Sequence, residues 1–173
     1  MDFTHKRVLV TGSSRGIGFA IAKAFLAAGA RVAINGSTEH SVAAAIGKLG
    51  DRDRTVAAPG NIGTVAGCES AVQTAIEAFG GLDVLVNNAG VGAGRPIAAC
   101  DEAMWDAHAD VNLKGLFFCC RAAIPELRGL DVHEIHPVKF GGSPTSWGNK
   151  IPLPRAVHAE FSTWWDQLRR SIE

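Results

Sequence analysis

An α/β architecture, a parallel sheet of about four strands with helices on both faces, is predicted by three features of this 173-residue chain. Short β-branched runs alternate with longer segments of helical apolar spacing. A glycine-rich turn joins the first strand to the first helix. The composition, 47% hydrophobic and 20% charged, is that of an ordinary globular protein rather than a disordered one. A chain of this length buries one core, or one reduced core with a small appended module, because domains typically run to about 100–150 residues.

The elements follow in order. Arg7 to Thr11 (RVLVT) is the first strand, and Gly16 to Gly29 carries apolar residues at helical spacing up to a glycine stop. Arg31 to Asn35 and Ser41 to Leu49 repeat the pair, and Thr55 to Ala58 with Val65 to Phe79 make a third. Leu82 to Val86 is a fourth strand, closed by Asn87-Asn88-Ala89-Gly90, and helical spacing resumes from Asp101 through Leu127. Strands joined through helices run parallel, here in the expected order 4-1-2-3. Beyond Leu127 the texture changes: Gly141-Gly142, Pro137, Pro144, Pro152 and Pro154 interrupt any period. A boundary near Gly129 therefore divides an α/β unit, residues 1–128, from a short irregular α+β tail, residues 129–173. The tail ends in a helical pattern, Arg155 to Ile172, whose Phe161, Trp164, Trp165 and Leu168 read as core packing.

Lys+Arg and Asp+Glu both number 17, so the formal net charge is zero and no whole-molecule attraction to nucleic acid is expected. Cys68, Cys100, Cys119 and Cys120 lack paired metal-ligand spacing and are expected to be reduced core residues. Met1 to Arg7 contains no apolar leader, and no segment reaches the roughly 18 apolar residues of a membrane span. A cytoplasmic protein without membrane partners is the expectation.

Thr11-Gly12-Ser13-Ser14-Arg15-Gly16-Ile17-Gly18 sets three glycines between a strand and a helix, where the chain turns tightly and backbone N–H groups can approach a pyrophosphate. The spacing TGxxxGxG, the sequence Asn87-Asn88-Ala89-Gly90 after the fourth strand, and Asn112 within Asp110-Val111-Asn112-Leu113-Lys114-Gly115 together resemble the short-chain dehydrogenase/reductase family, over about residues 5–128. The resemblance implies a truncated Rossmann-like three-layer fold and an NAD(P)-binding oxidoreductase site. It implies that Gly12, Gly16 and Gly18, with Ser14, Arg15 and Ile17, hold the pyrophosphate side. Asn61 and Ile62 would flank the adenine, and Asn88, Ala89 and Gly90 the nicotinamide-side ribose. Asn112 would support a proton-relay water.

Cofactor choice turns on the end of the second strand. An acid there binds ribose hydroxyls and repels a 2′-phosphate, but Asn35-Gly36-Ser37 contains none, and Arg15 could pair with the phosphate. NADP is expected over NAD, with Asn35 at the ribose end. The family's hydride chemistry also uses a tyrosine, a lysine four residues on and a serine. These 173 residues include no tyrosine, so the usual reductase proton transfer is not expected of them. A sheet lacking its later strands is expected to leave an open edge, which favours a homo-oligomer.

The tail carries a second resemblance. His133, the run His136-Pro137 to Gly141-Gly142, then Asn149 and His158 resemble the HNH nuclease motif in spacing. That likeness implies a β-hairpin and helix holding a divalent metal, with His133 as general base, Asn149 fixing the hairpin and His158 as metal ligand. Lys139, Lys150, Arg155, Arg169 and Arg170 would meet nucleic-acid phosphates. The residue before the base is Val132 rather than an acid or histidine, so the metal site is incomplete. Three classes thus stand for test: a dinucleotide-binding oxidoreductase-like protein, a metal-dependent endonuclease, and a non-catalytic dimerising or regulatory module.

Overall fold

The structure, a computed structural model, describes residues 2–92, 96–127, 130–134 and 150–154. Strand β1 (Arg7–Val10) leads through a turn to helix α1 (Gly16–Ala27), and β2 (Arg31–Ile34) to α2 (Glu39–Leu49). Then come β3 (Thr55–Ala57), α3 (Val65–Phe79) and β4 (Val84–Val86). The four strands form one parallel sheet in the order β3-β2-β1-β4, the expected 4-1-2-3 read from its other edge. Val8 pairs with both Val32 and Val84, so β1 lies at the centre with its C-terminal end facing the glycine turn.

Alternation along the strands builds the three layers, since successive side chains point to opposite faces. Val8, Val10, Val32, Ile34, Val84 and Val86 pack on one face with Ala22 and Leu26 of α1 and Val42 and Ala45 of α2. Leu9, Ala33 and Leu85 pack on the other with Cys68, Val72 and Phe79 of α3. A sheet covered on both faces explains why every strand reads as a continuous apolar run rather than as an alternation with polar residues.

Helix ends follow local chemistry. The Thr38 hydroxyl accepts the Ser41 N–H at 3.2 Å, which starts α2 at Glu39, two residues before the apolar spacing begins. The Thr64 hydroxyl does the same for Gly67 at the start of α3, and Gly50 and Gly80 end α2 and α3 in the left-handed conformation. The long helical stretch expected from 101 onward is three pieces. Helix α4 (Glu102–Ala109) passes through a π-helical segment (Asp110–Gly115) into α5 (Leu116–Ala123). A 3.6-residue period read across this stretch misses the added residue of the wider turn. Gly115 lies against the Ile62 carbonyl with no room for a side chain, and Lys114 pairs with Asp110 at 2.5 Å.

Strands β5 (Leu130–Glu134) and β6 (Lys150–Pro154) form a separate antiparallel pair in which His133 stands opposite Ile151. Asn149, His158 and the aromatic terminal stretch lie outside the described residues.

One expectation is corrected. Cys100 is exposed and lies between helices, whereas Cys68 and Cys119 are buried and Cys120 is half-buried. Among the described residues β4 pairs only with β1 and so forms an edge of the sheet, although all three of its residues are buried. Four exposed apolar side chains, Trp105, Leu113, Phe117 and Ile124, lie along the α4–α5 stretch. No helix among the described residues is long and apolar enough to cross a membrane.

Candidate functional site

A cleft of about 560 Å³ opens at the C-terminal ends of the strands. Its floor is the turn from Gly12 to Gly18. One wall comes from Asn35, Gly36, Ser37 and Ser41, and another from Asn88 to Val91. Residues 60–63 and Val111 close the far end. Open parallel sheets place ligands at this end because the helices that follow the strands begin there, N–H groups first.

The turn is built for close approach. Gly12 and Gly16 have φ of +63° and +58°, values that disfavour any side chain. At Gly12 a Cβ would stand 2.9 Å from the Cα of Ala89, and at Gly18 it would collide with the Asn88 amide and the Gly12 carbonyl. At Gly16 a Cβ would meet nothing within 4 Å, so bare backbone faces open space. Helix α1 begins there with no side-chain cap and no acid in its first turn. Its leading N–H groups are therefore a donor set suited to an anion, and the residues fit a pyrophosphate.

Four side chains hold the turn in place. Asn35 is buried, accepts the Gly12 N–H at 2.9 Å, and donates to the carbonyls of Ala58 at 2.9 Å and Gly60 at 3.2 Å. The Ser13 hydroxyl donates to Val10 at 2.7 Å and accepts the Asn35 N–H at 2.9 Å. The Thr11 hydroxyl accepts the N–H groups of Asn88 at 2.9 Å and Ala89 at 3.0 Å, and the Asn88 amide donates back to the Thr11 carbonyl at 2.9 Å. The glycine turn and the Asn88-Ala89-Gly90 segment are thereby one rigid unit, although 70-odd residues separate them in the chain.

Most sequence-predicted residues converge on this cleft: Gly12, Ser14, Arg15, Gly16, Ile17, Gly18, Asn35, Asn61, Ile62, Asn88, Ala89 and Gly90 all line it. Their parts differ. Asn35 is committed to the backbone, so it shapes the wall rather than offering a free amide to a ribose. Asn61 is exposed and its carboxamide oxygen accepts the Gly63 N–H at 3.0 Å, while Ile62 is buried. Ile17 is 77% exposed at the mouth. Arg15 is the only charged residue lining the cleft among the described residues.

Asn112 sits in the π-helical segment and clips the next loop: its amide accepts the Val91 N–H at 2.8 Å and donates to the Val91 carbonyl at 2.9 Å. Ser41, Gly60, Gly63, Val91 and Val111 line the cleft without having been singled out by the sequence. They belong to no local motif, and only the spacing of Val111 beside Asn112 hinted at one of them. Asn87 faces away, donating to the Cys120 sulfur at 3.2 Å; its carboxamide oxygen is buried without a partner among the described residues. His133 lies in β5, and no cluster of three or more metal-ligating side chains is found among the described residues.

Comparison with known proteins agrees with this geometry. The family model for short chain dehydrogenases matches residues 6–133, reaching into β5 as far as His133. The chain is 37% identical over 123 residues to the (2S)-[(R)-hydroxy(phenyl)methyl]succinyl-CoA dehydrogenase subunit BbsD of Thauera aromatica, covering 70% of this chain and 50% of that protein. Among solved structures, a short chain dehydrogenase from Burkholderia cenocepacia in complex with NADP is 36% identical with a TM-score of 0.68, covering 73% of this chain and 53% of the other. A 3-ketoacyl-(acyl-carrier-protein) reductase from Brucella melitensis complexed with NADH is 31% identical with the same TM-score of 0.68, covering 72% and 51%. The chain spans about half the length of the curated relatives it matches. A parallel sheet in the order 4-1-2-3, the glycine turn joined to the Asn88 segment, and a family match over residues 6–133 establish that this chain belongs to the short-chain dehydrogenase family.

Proposed function

We propose that this chain binds a nicotinamide dinucleotide, NADP in preference to NAD, and lacks the family's normal reductase turnover. The observation that carries the reading is the left-handed glycine turn over the uncapped start of α1, open to a cleft whose one charged lining residue among the described residues is Arg15. In this reading the pyrophosphate lies across Gly12 to Gly18, the adenine beside Asn61 and Ile62, and the nicotinamide-side ribose against Asn88, Ala89 and Gly90. Bound there, a nicotinamide supplies a hydride donor or acceptor. Arg15 favours a 2′-phosphate, and among the described residues no carboxylate lines the cleft to repel one.

Catalysis needs more than the cofactor. A carbonyl reduced by hydride must also gain a proton at its oxygen, and a phenol of tuned pKa is the family's donor. No tyrosine occurs in these 173 residues. Asn112, the remnant of the relay, is engaged with Val91. Binding without turnover is the expected behaviour.

The test is a titration of NADPH and NADH into the purified chain, followed by nicotinamide fluorescence and repeated with Gly16→Asp. Saturable binding that the variant loses supports the reading. Absence of binding at millimolar cofactor overturns it.

A second reading rests on the antiparallel β5–β6 pair, the element on which the HNH resemblance set its general base, His133. It makes the tail a divalent-metal-dependent endonuclease acting on nucleic acid, with His158 as ligand. Nicking of plasmid DNA that EDTA and His133→Ala both abolish would favour it; nicking unaffected by either would exclude it.

A further inference from the structure

We infer that Asn61 tilts the base end of the cleft toward a 6-oxopurine: its carboxamide is held with only N–H donors left free, which suit the carbonyl of a hypoxanthine or guanine edge and find no match in the amino group of adenine. The inference rests on the dinucleotide reading above and concerns which base that cleft favours.

Residues 60–63, Val91 and Val111 close the end of the cleft assigned to the base, and of these only Asn61 carries a polar side chain. Its orientation is fixed by chemistry. The Gly63 N–H can only donate, so the Asn61 atom 3.0 Å from it is the carboxamide oxygen, and the amino group is what remains. Turning the oxygen outward would give up this bond, which closes a local turn of the chain. Asn61 is exposed, and its Nδ2 has no hydrogen-bond partner among the described residues.

Neighbouring polar groups are committed. The Asn61 carbonyl accepts the Thr64 N–H and hydroxyl, each at 3.0 Å, and the Ile62 carbonyl accepts the Cys68 thiol at 3.2 Å. Asn112 holds both backbone groups of Val91. Beyond Asn61 the surface falls into a hollow of about 530 Å³, to which Gly63, Val91 and Val111 also contribute. There Asp110 is paired with Lys114, and the His108 ring meets the Met104 carbonyl at 2.7 Å. Space therefore does not exclude a larger purine edge, and the free side-chain group beside it is a donor. Adenine carries an amino group at its 6-position, a donor like that of Asn61 itself. A 6-oxopurine carries an oxygen there beside N7, two acceptors on one edge.

The experiment titrates the full chain with NADPH and with its hypoxanthine analogue, reduced nicotinamide hypoxanthine dinucleotide phosphate, by nicotinamide fluorescence, and repeats both with Asn61→Asp. Aspartate keeps an oxygen on the Gly63 N–H and changes the free group from donor to acceptor. Its added charge acts on both ligands alike, so the ratio of the two dissociation constants is the readout. The unaltered chain is expected to bind the hypoxanthine form about threefold to fivefold more tightly than NADPH, and Asn61→Asp to reverse that preference. A hypoxanthine form bound no more than about twofold more tightly than NADPH by the unaltered chain overturns the inference and leaves the dinucleotide reading standing, whether or not the variant folds. A preference that a folded Asn61→Asp does not move toward NADPH overturns it as well. If the unaltered chain binds neither form, the dinucleotide reading falls and takes the inference with it.

Discussion

The Asn35 carboxamide accepts the Gly12 N–H at 2.9 Å, so the end of β2 holds the first glycine of the phosphate-binding turn. The same side chain reaches the carbonyls of Ala58 and Gly60, which makes it the tie between the C-terminal ends of β1, β2 and β3. Its removal strands the buried Ala58 carbonyl and two half-buried backbone groups, at Gly12 and Gly60. Asn35→Ala is expected to destabilise the fold by about 3 kcal/mol, from one to three per unsatisfied group after partial relaxation, measured by urea unfolding. Asn35→Asp would set an acid against two carbonyls, and it is expected to lower stability without converting the chain to an NAD binder. A stable variant with tightened NADH affinity would show that position 35 faces the ribose.

The clip between Asn112 and Val91 gives a second prediction. Both of its bonds end on one residue of the loop that follows Gly90. Asn112→Ala releases that loop from the π-helical segment, and NADPH affinity is expected to fall about threefold to tenfold through lost preorganisation. Asn112→Asp keeps the acceptor and loses the donor, so an intermediate loss is expected. Affinity equal to that of the unaltered chain in both variants would show that the clip is irrelevant to the cleft.

Arg7 and Asp83 predict a pH dependence. The guanidinium of Arg7 donates to both carboxylate oxygens of Asp83, at 2.7 and 3.0 Å, and to the Gly80 carbonyl at 2.8 Å, joining the start of β1 to the approach to β4. The Arg7 hydrogen bond holds the Asp83 carboxyl below its ordinary value of 3.8. A lowered folded value means the unfolded state takes up a proton first. The pair's contribution is therefore fully present above the ordinary carboxylate range and is lost as pH falls through the folded value. Asp83→Asn is expected to lower stability at pH 7 by about 1 kcal/mol, the partial exposure of both groups limiting the effect. The difference from the unaltered chain should shrink below about pH 4 in parallel denaturant titrations. A difference that persists at pH 3 would assign the loss to packing.

Thiol labelling separates the cysteines. Cys100 is exposed, whereas burial pushes the Cys68, Cys119 and Cys120 thiols up. Thiolate is the reactive form, so one fast-reacting thiol is expected at pH 8 in the folded chain and four in denaturant. Cys100→Ser should remove the fast phase. Retention of that phase would place Cys120 at the surface.

The α4–α5 surface is a candidate for self-association. Trp105, Leu113, Phe117 and Ile124 are each more than half exposed, a concentration of apolar side chains that water does not favour. A concentration-dependent dimer by analytical ultracentrifugation is expected, and Phe117→Asp with Ile124→Asp is expected to shift it towards monomer by about tenfold or more. A monomer at all concentrations would show that this surface has another role.

Much of the cleft was legible in the residues, because a phosphate-binding turn is a local device. The spacing of Gly12, Gly16 and Gly18 between a β-branched run and a helix states where backbone must bend left-handed and where it must stay bare. The parallel run of the strands also follows from the chain, since helical crossovers join strands that point the same way. The π-helical segment was hidden, because Asp110 to Gly115 keeps the apolar content of a helix while changing only the ring size of its hydrogen bonds. Cys100 was misplaced for a related reason: apolar neighbours in sequence do not ensure burial when a turn intervenes.

By itself, then, the sequence determined that this chain folds as a parallel α/β sheet with a glycine turn at the end of β1, and that it brings no tyrosine to the site. These are properties of period, residue type and local backbone freedom. Tertiary structure decided which polar groups remain available. It turned Asn35 inward, set Asn112 on Val91, and brought Ser41 of α2 against Gly36 and Ser14. Each of these depends on packing between segments distant in the chain, and hydrogen-bonding capacity spent in such contacts cannot be read from the residues that carry it.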